Sequence, residues 1–200
     1  MDHLRYSGLP LERQRAALLD IALADPLAGD ALARAQHCRL PDWLVVSGVL
    51  YNVVWNRLTG RPSVHGVKDI DLFYFDATDL SYEAEDAAIR AAGALFDGLP
   101  APVEIRNQAR VHLWYEARFG QPYPQLRSSS EALGYFSART HAVGLRLDSG
   151  GDPEIVAPFG LDDLFSFRLT PNRVLDTRRT YEEKAARARA NWPEVEVVPW

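Results

Sequence analysis

Cysteine is almost absent. Cys38 is the only one in 200 residues, which excludes an internal disulfide and any zinc site built on several thiolates. The five histidines show no His-x-x-x-His or other zinc spacing. No apolar run approaches the roughly 20 residues that a bilayer-crossing helix needs, so no membrane span is expected. The opening residues Met1-Asp2-His3-Leu4-Arg5 carry an acid and lack the basic-then-apolar order of a signal peptide; a cytoplasmic protein is the expectation. Internal repeats and low-complexity tracts are missing. Excess positive charge is missing too. The 27 acids outnumber the 22 basic residues for a net charge of −5, which argues against a surface given over to nucleic acid and leaves room only for a local basic patch. Lysine is scarce: Lys68 and Lys184 stand among 20 arginines. Against that background a lysine has a raised chance of being needed as a compact point charge.

What remains is an ordinary soluble composition, 47% hydrophobic and 24% charged, in a chain long enough to bury one sizeable core. Pro10 opens a first helix that Pro26 stops, and a second helix covers Gly29–Arg39. Trp43–Gly48 reads as a buried strand ending at a glycine, followed by a helix over Val49–Leu58 closed by Gly60 and Pro62. Asp69–Phe75, aromatic and apolar, is the strongest strand. A helix over Tyr82–Asp97 follows, with Ala88, Ile89, Ala92, Leu95 and Phe96 on its buried side. Pro102–Asn107 reads as a strand and Gln108–Phe119 as a helix. After a Pro/Ser-rich connection, a short helix covers Glu131–Ala138. Ala142–Asp148 and Pro153–Ala157 read as two strands around a Ser-Gly-Gly turn. Leu161–Arg168 and Thr180–Asn191 read as helices, the latter with Thr180 and Glu183 as a capping box. The alternation predicts an α/β to α+β fold with a mixed, twisted sheet. The expected organisation is one domain, with a core over residues 1–120 and a largely helical C-terminal cap or extension over 121–200.

Acid-x-acid spacing means little by itself, since 27 acids in 200 positions yield about four such pairs by chance. Glu83-x-Glu85, Asp152-x-Glu154 and Glu194-x-Glu196 sit in a helix start, a turn and a polar tail, and receive no role. Asp69-x-Asp71 differs in context. Strand alternation places both carboxylates on one face, about 7 Å apart along the chain. The apolar flanks make the strand an interior one, where like charges repel and lose hydration. A cation is the simplest remedy, and two carboxylates with phosphate oxygens and water suit Mg²⁺ or Mn²⁺. The other reading starts the strand at Ile70 and leaves Asp69 in a solvated turn. Upstream, a buried strand runs into Ser47-Gly48 and a helix begins at once. Glycine there admits a phosphate to the backbone, and free helix N–H groups attract anions. Arg57, Arg61, His65 and Lys68 follow as a candidate anion-binding edge.

These residues together carry a resemblance. A strand, a Ser47-Gly48 turn, a helix and then an Asp69-x-Asp71 strand resemble the nucleotidyltransferase superfamily that includes DNA polymerase β. More narrowly the chain is similar to a bacterial nucleotidyltransferase-like family, through Val46–Leu58 with Gly60, Lys68–Asp76, Val103–Trp114, and Ala157–Asp163 followed by Pro171-Asn172. The most distinctive stretch is Asn107-Gln108-Ala109-Arg110-Val111-His112-Leu113-Trp114. The resemblance implies a nucleotidyltransferase fold. It also implies Mg²⁺-dependent transfer of a nucleotidyl group from an NTP to an acceptor, whether a small molecule, an RNA end or a protein. Asp69 and Asp71 would bind metal, and Glu104 would be the third acid, as ligand or as proton acceptor. Ser47, Gly48, Lys68, Arg110 and Lys184 would bind the nucleotide. Two departures stand out. The usual Gly-Gly or Gly-Ser turn reads Ser47-Gly48-Val49, and 21 positions separate Gly48 from Asp69. The altered turn favours the alternative of an inactive nucleotide-binding or interaction module on the same fold.

Other residues have two readings. Asn107, Arg110 and Trp114 share a helix face, to line a pocket or to form a structural hydrogen-bond cluster. Arg168, Arg173, Arg178, Arg179, Lys184, Arg187 and Arg189 make a basic stretch, to hold triphosphate or to sit as a solvated face with internal ion pairs. Trp43, Trp55, Trp114 and Trp192 read as core or rim packing, and Cys38 as packing. His37 and His141 carry no functional assignment. Asp162-Asp163 reads as a helix start.

Overall fold

The computed structural model describes residues 2–200. Two helices lead, α1 (Leu11–Ala24) and α2 (Pro26–His37). Pro26 does more than stop the first. It occupies the opening position of α2, where its missing N–H costs nothing, and the Asp25 carboxylate accepts from the Leu27 and Ala28 amides. The second helix therefore begins three residues earlier than Gly29.

Strand β1 (Leu44–Val46) leads through Ser47 into α3 (Gly48–Thr59), which ends at Gly60 in the left-handed conformation. Strand β2 (Ile70–Tyr74), α4 (Tyr82–Gly93) and β3 (Val103–Asn107) follow. After Gly93 the chain tightens into a 3₁₀ turn over 94–96, which swings Leu95 out to solvent while Phe96 stays buried. Another 3₁₀ turn over 108–110 precedes α5 (Val111–Phe119). Next come α6 (Ser129–Ala132), the hairpin strands β4 (Gly144–Leu147) and β5 (Pro153–Val156), and the one-turn α7 (Asp162–Phe165). The chain closes with β6 (Arg168–Leu169), α8 (Arg178–Asn191) and β7 (Glu196–Val197). Thr180 falls inside α8; Thr177 takes the cap position without a side-chain bond, so the Thr180–Glu183 box does not form.

The sheet is mixed, in the order β3-β2-β1-β4-β5, with only β2–β3 parallel. Strand β4 pairs with β1, so residues 144–147 belong to the central sheet and the sheet does not end at residue 120. The β6–β7 pair forms a separate two-stranded sheet.

Strand alternation divides the two faces. Val45, Ile70, Leu72, Ile105 and Leu145 join α1, α2 and α3 in the main core. Its largest buried side chains include Trp55 and Trp192, packed edge to face at 5.2 Å. Their indole N–H groups donate to the Leu164 carbonyl and to Asn56 Oδ1, so burial leaves no orphaned donor. On the opposite face Leu44 and Val46 form a small cluster with Leu133 and Ala142, edged by Phe73 and Phe136. Asp71 belongs to that second, thinner face, since β2 buries residues 70, 72 and 74 and turns 71 and 73 the other way.

Candidate functional site

The loop between α3 and β2 decides where the first acid sits. Asn56 Nδ2 donates to the Ser63 and His65 carbonyls, and Asn52 Nδ2 donates to that of Gly66. Gly66 has φ +71°, and a Cβ there would lie 2.4 Å from the Trp192 ring, so only glycine fits. The loop is folded back along α3 and pressed on Trp192. Helix α3 and this loop together take up the offset of 21 from Gly48 to Asp69, and a Cβ at Gly48 would come within 3.6 Å of the Asp69 carbonyl. That contact is ordinary. The fold alone does not require glycine at 48, whereas close approach of a phosphate to the helix start would.

Ser47 sits at φ +56°, ψ −110°, nearly buried, with its amide donating to the Val143 carbonyl at 2.8 Å. A left-handed non-glycine residue is strained, and such strain concentrates at ligand-binding turns. Its hydroxyl makes no capping bond and lines a cavity.

Asp69 lies just outside β2, as the solvated-turn reading had it, yet it is only 23% exposed at the side chain and pairs with Lys68 at 3.0 Å. Asp71 is inside the strand. Burial, reinforced by the charges of Asp69 and Glu104, pushes its carboxyl up to about 6, with Lys184 opposing. Glu104 stands directly across from Asp71 in the parallel register, about 4.8 Å away at the backbone. Its side chain is 48% exposed and 3.8 Å from Arg106 on its own strand. Among the described residues no three His, Cys, Asp or Glu side chains enclose a cation by themselves. The donor set fits Mg²⁺ in another way. Two crowded carboxylates, one carrying an unfavourable charge, could hold such a cation together with oxygens from a ligand and water.

Lys184 reaches this site from α8. Burial pulls its pKa down, and Arg187 adds to that; Asp71 and Asp69 push the other way. Arg187 also approaches the buried Tyr51 hydroxyl. The basic stretch thus divides by helix face. Arg178 and Arg179 pair with Glu182 and Glu183 one turn on, and Arg168 pairs with Asp163, while Lys184 turns toward the acids and Arg187 toward Tyr51.

Beside Asp71 opens a cavity of about 260 Å³, lined by Ser47, Phe73, Tyr115, Phe119, Tyr135, Phe136, Ser137, His141, Thr177, Thr180 and Lys184. An open groove edged by Arg118 and Arg179 shares Phe119, Thr177 and Thr180 with it. His141 was missed from sequence, having no ligand-spaced neighbour. It is 2% exposed, stacks on Tyr51 at 4.1 Å, and has no hydrogen-bond partner at either ring nitrogen. Burial first, then Lys184 and Arg187, holds its pKa well below the usual histidine range, so the ring is neutral. A second hollow of about 400 Å³ between Arg5, Asp20, Asp25 and Arg57 shares none of these residues and contains no orphaned buried polar atom.

Arg110, expected at the nucleotide, is not brought here. Its guanidinium pairs with Glu85, both side chains 11% exposed, and donates to the Leu80 carbonyl. Asn107 is bound to Asp76 and Ala109. The structural-cluster reading describes this segment. Of the expected anion edge only Lys68 faces the acids; Arg61 pairs with Glu194 and His65 bonds the Asn191 carbonyl. Asp162 accepts from Gln14 and the Gly8 amide, a structural role. Cys38 is half-buried with its thiol pushed up to about 11, hence inert.

Known proteins agree with this architecture. A solved structure described as revealing a CCA-adding enzyme head domain aligns with 92% of this chain and 95% of its own. Its TM-score is 0.73 and its identity 24%, a likeness of fold. No curated protein matches. Residues 33–197 match a family described as nucleotidyltransferase. That match takes in the Ser47-Gly48 turn, the Asp69-x-Asp71 strand, Glu104 and Lys184, and the chain belongs to the nucleotidyltransferase family.

Proposed function

We propose that the protein transfers a nucleotidyl group from an NTP to an acceptor, with Mg²⁺ held at Asp69 and Asp71. The observation that carries this reading is the charge arrangement at β2. A strand holds Asp71 half-buried beside Asp69 and opposite Glu104, at a cost that lifts its pKa to about 6, near the α3 start and Lys184. A fold tolerates such crowding where a ligand relieves it. Bound Mg²⁺ would neutralise triphosphate charge and acidify an acceptor hydroxyl. The chain's own groups do the positioning. The Gly48 helix start and the Ser47 hydroxyl meet the outer phosphates. Lys184 and Lys68 balance the charge that shifts toward the leaving pyrophosphate. Glu104, exposed at the sheet surface, is placed to take the acceptor proton or to complete the metal site.

Calorimetric titration of ATP, GTP, CTP and UTP, with and without Mg²⁺, tests this reading. Magnesium-dependent binding that Asp69→Asn/Asp71→Asn abolishes is expected. No nucleotide binding to well-folded wild type would sink the proposal. A second reading, binding without turnover, is favoured by Glu104, which leans toward Arg106 at 3.8 Å. NTP labelled at the α-phosphate, incubated with protein and cell extract, separates the two. Transfer of label to a product supports turnover, and tight binding with no label moved supports the module.

A further inference from the structure

We propose that the cavity beside Asp71 is a nucleobase pocket, in which Phe73, Phe136, Tyr115 and Phe119 flank the ring and Ser137, His141 and Thr177 read its edge. The inference rests on the nucleotidyl-transfer reading and adds the part of the substrate that site would discriminate.

Two walls give the cavity a direction. Along β2, Asp71 and Phe73 share a face two residues apart, about 7 Å. Along α8, Lys184, Thr180 and Thr177 line it at helical spacing, and seven residues of helix span about 10 Å. Lys184 and Asp71 mark a charged end, and Thr177 with Phe119 marks a neutral, aromatic one. A triphosphate anchored at the charged end would extend its sugar and base toward the other.

The chemistry of the lining is specific. Ser137 Oγ, Thr177 Oγ1 and, nearer Lys184, both ring nitrogens of His141 are buried and have no partner. Ser137 and His141 are only 6% and 2% exposed. Native proteins leave few such groups, because each forfeits its hydration. None of the three carries a charge that would balance a second phosphate or a carboxylate. Hydroxyls both donate and accept, and a neutral imidazole carries one donor and one acceptor. Flat aromatic faces around such an edge match a purine or pyrimidine.

The wall is also held in place. Asn172, itself 2% exposed, donates from Nδ2 to the Gly134 and Phe136 carbonyls, and its amide donates to the Ser137 carbonyl. Phe136 meets Phe73 edge to face at 5.9 Å. The Phe136 and Ser137 carbonyls are thus both engaged while the Ser137 hydroxyl is left free, which is how a preorganised site is built.

The test compares the four NTPs with inorganic tripolyphosphate, all with Mg²⁺, by calorimetry. Stacking on aromatic side chains contributes roughly 5- to 150-fold in affinity per base. At least one NTP is expected to bind tenfold or more tightly than tripolyphosphate. Phe136→Ala should erase that margin while leaving tripolyphosphate within twofold. Thr177→Val, which keeps the shape of the side chain, and Ser137→Ala should each shift the ranking of the four NTPs by about five- to tenfold. Equal binding of NTPs and tripolyphosphate by wild type would overturn the base pocket and leave the transferase reading standing. So would a margin untouched in Phe136→Ala and Thr177→Val. Should Phe136→Ala fail to fold, the wild-type ligand comparison and Thr177→Val decide. Binding of neither ligand class would overturn both readings together.

Discussion

Two polar clusters on the same sheet teach more by contrast than either does alone. At the C-terminal end of β2 and β3, every group in the Asp76–Glu85–Asn107–Arg110 cluster is answered from within the chain. Glu85 accepts from the Asn107 amide and pairs with Arg110, Arg110 donates to the Leu80 carbonyl, and Asn107 is bonded on both sides of its amide. Over Asp71 the inventory is similar and the outcome opposite. Ser137, His141 and Thr177 have no partner, and Asp71 is burdened by its neighbours. A polar cluster completed by its own chain holds the fold together. One left incomplete at comparable burial costs stability that a ligand can return.

The contrast can be broken experimentally, and the largest effect is expected at Asp71. Asp71→Asn should weaken magnesium-dependent NTP binding by about a thousandfold, the loss of a charge that several kcal/mol of metal binding depends on. Glu85→Ala should do the reverse. It leaves Arg110 buried without its partner and should lower unfolding stability by about 3–5 kcal/mol, while NTP affinity of the folded fraction stays within about threefold. Denaturant melts and calorimetry on both variants separate the two clusters.

Asp71 also sets a pH dependence with a definite sign. Its carboxyl moves from 3.8 to about 6 on folding, so the native state holds this proton more tightly than the unfolded chain. The corresponding stability is full below pH 3.8 and is lost as pH rises through about 6. The loss is on the order of 2–3 kcal/mol. Without ligand, Asp71→Asn should therefore be more stable than wild type by about that amount at pH 7.5 and close to it at pH 4, by urea denaturation. A variant no more stable than wild type at pH 7.5 would remove the claim that Asp71 is strained.

Smaller effects sharpen the comparison. Gly48→Ala should leave stability within about 0.5 kcal/mol or raise it, since alanine is the better helix former, and should weaken NTP binding on the order of tenfold by crowding the phosphate seat. Ser137→Ala should be neutral or slightly stabilising in urea melts, because it removes an unpartnered hydroxyl. A clear destabilisation there would reveal a partner and move Ser137 into the structural class.

Local elements were legible in the sequence because their signals are local. Strand β2 shows in the aromatic run after Asp69, and α3 in the glycines that bracket it. The errors were local too. Pro26 stops one helix and starts the next, and only the Asp25 carboxylate bonding forward distinguishes the two uses. The Thr180–Glu183 pair has the letters of a capping box, yet α8 begins at Arg178, which carries Thr180 to the cavity wall instead. Lysine scarcity singled out Lys68 and Lys184, and both stand at the acids. The resemblance put Arg110 at the nucleotide, and spacing could not correct it, because spacing shows which face of a helix a residue takes and not what that face meets.

The sequence by itself determined most of the elements, the acid pair at the head of one strand, the glycine at a helix start and the family. Those features repeat within a few residues, where backbone geometry is set by nearest neighbours. Only the tertiary structure decided that β4 enters the sheet beside β1, that Glu104 stands opposite Asp71, and that His141, Thr177 and Tyr115 close over one cavity. Those residues lie tens of positions apart, and what unites them is the burial of a shared core, which no local spacing records.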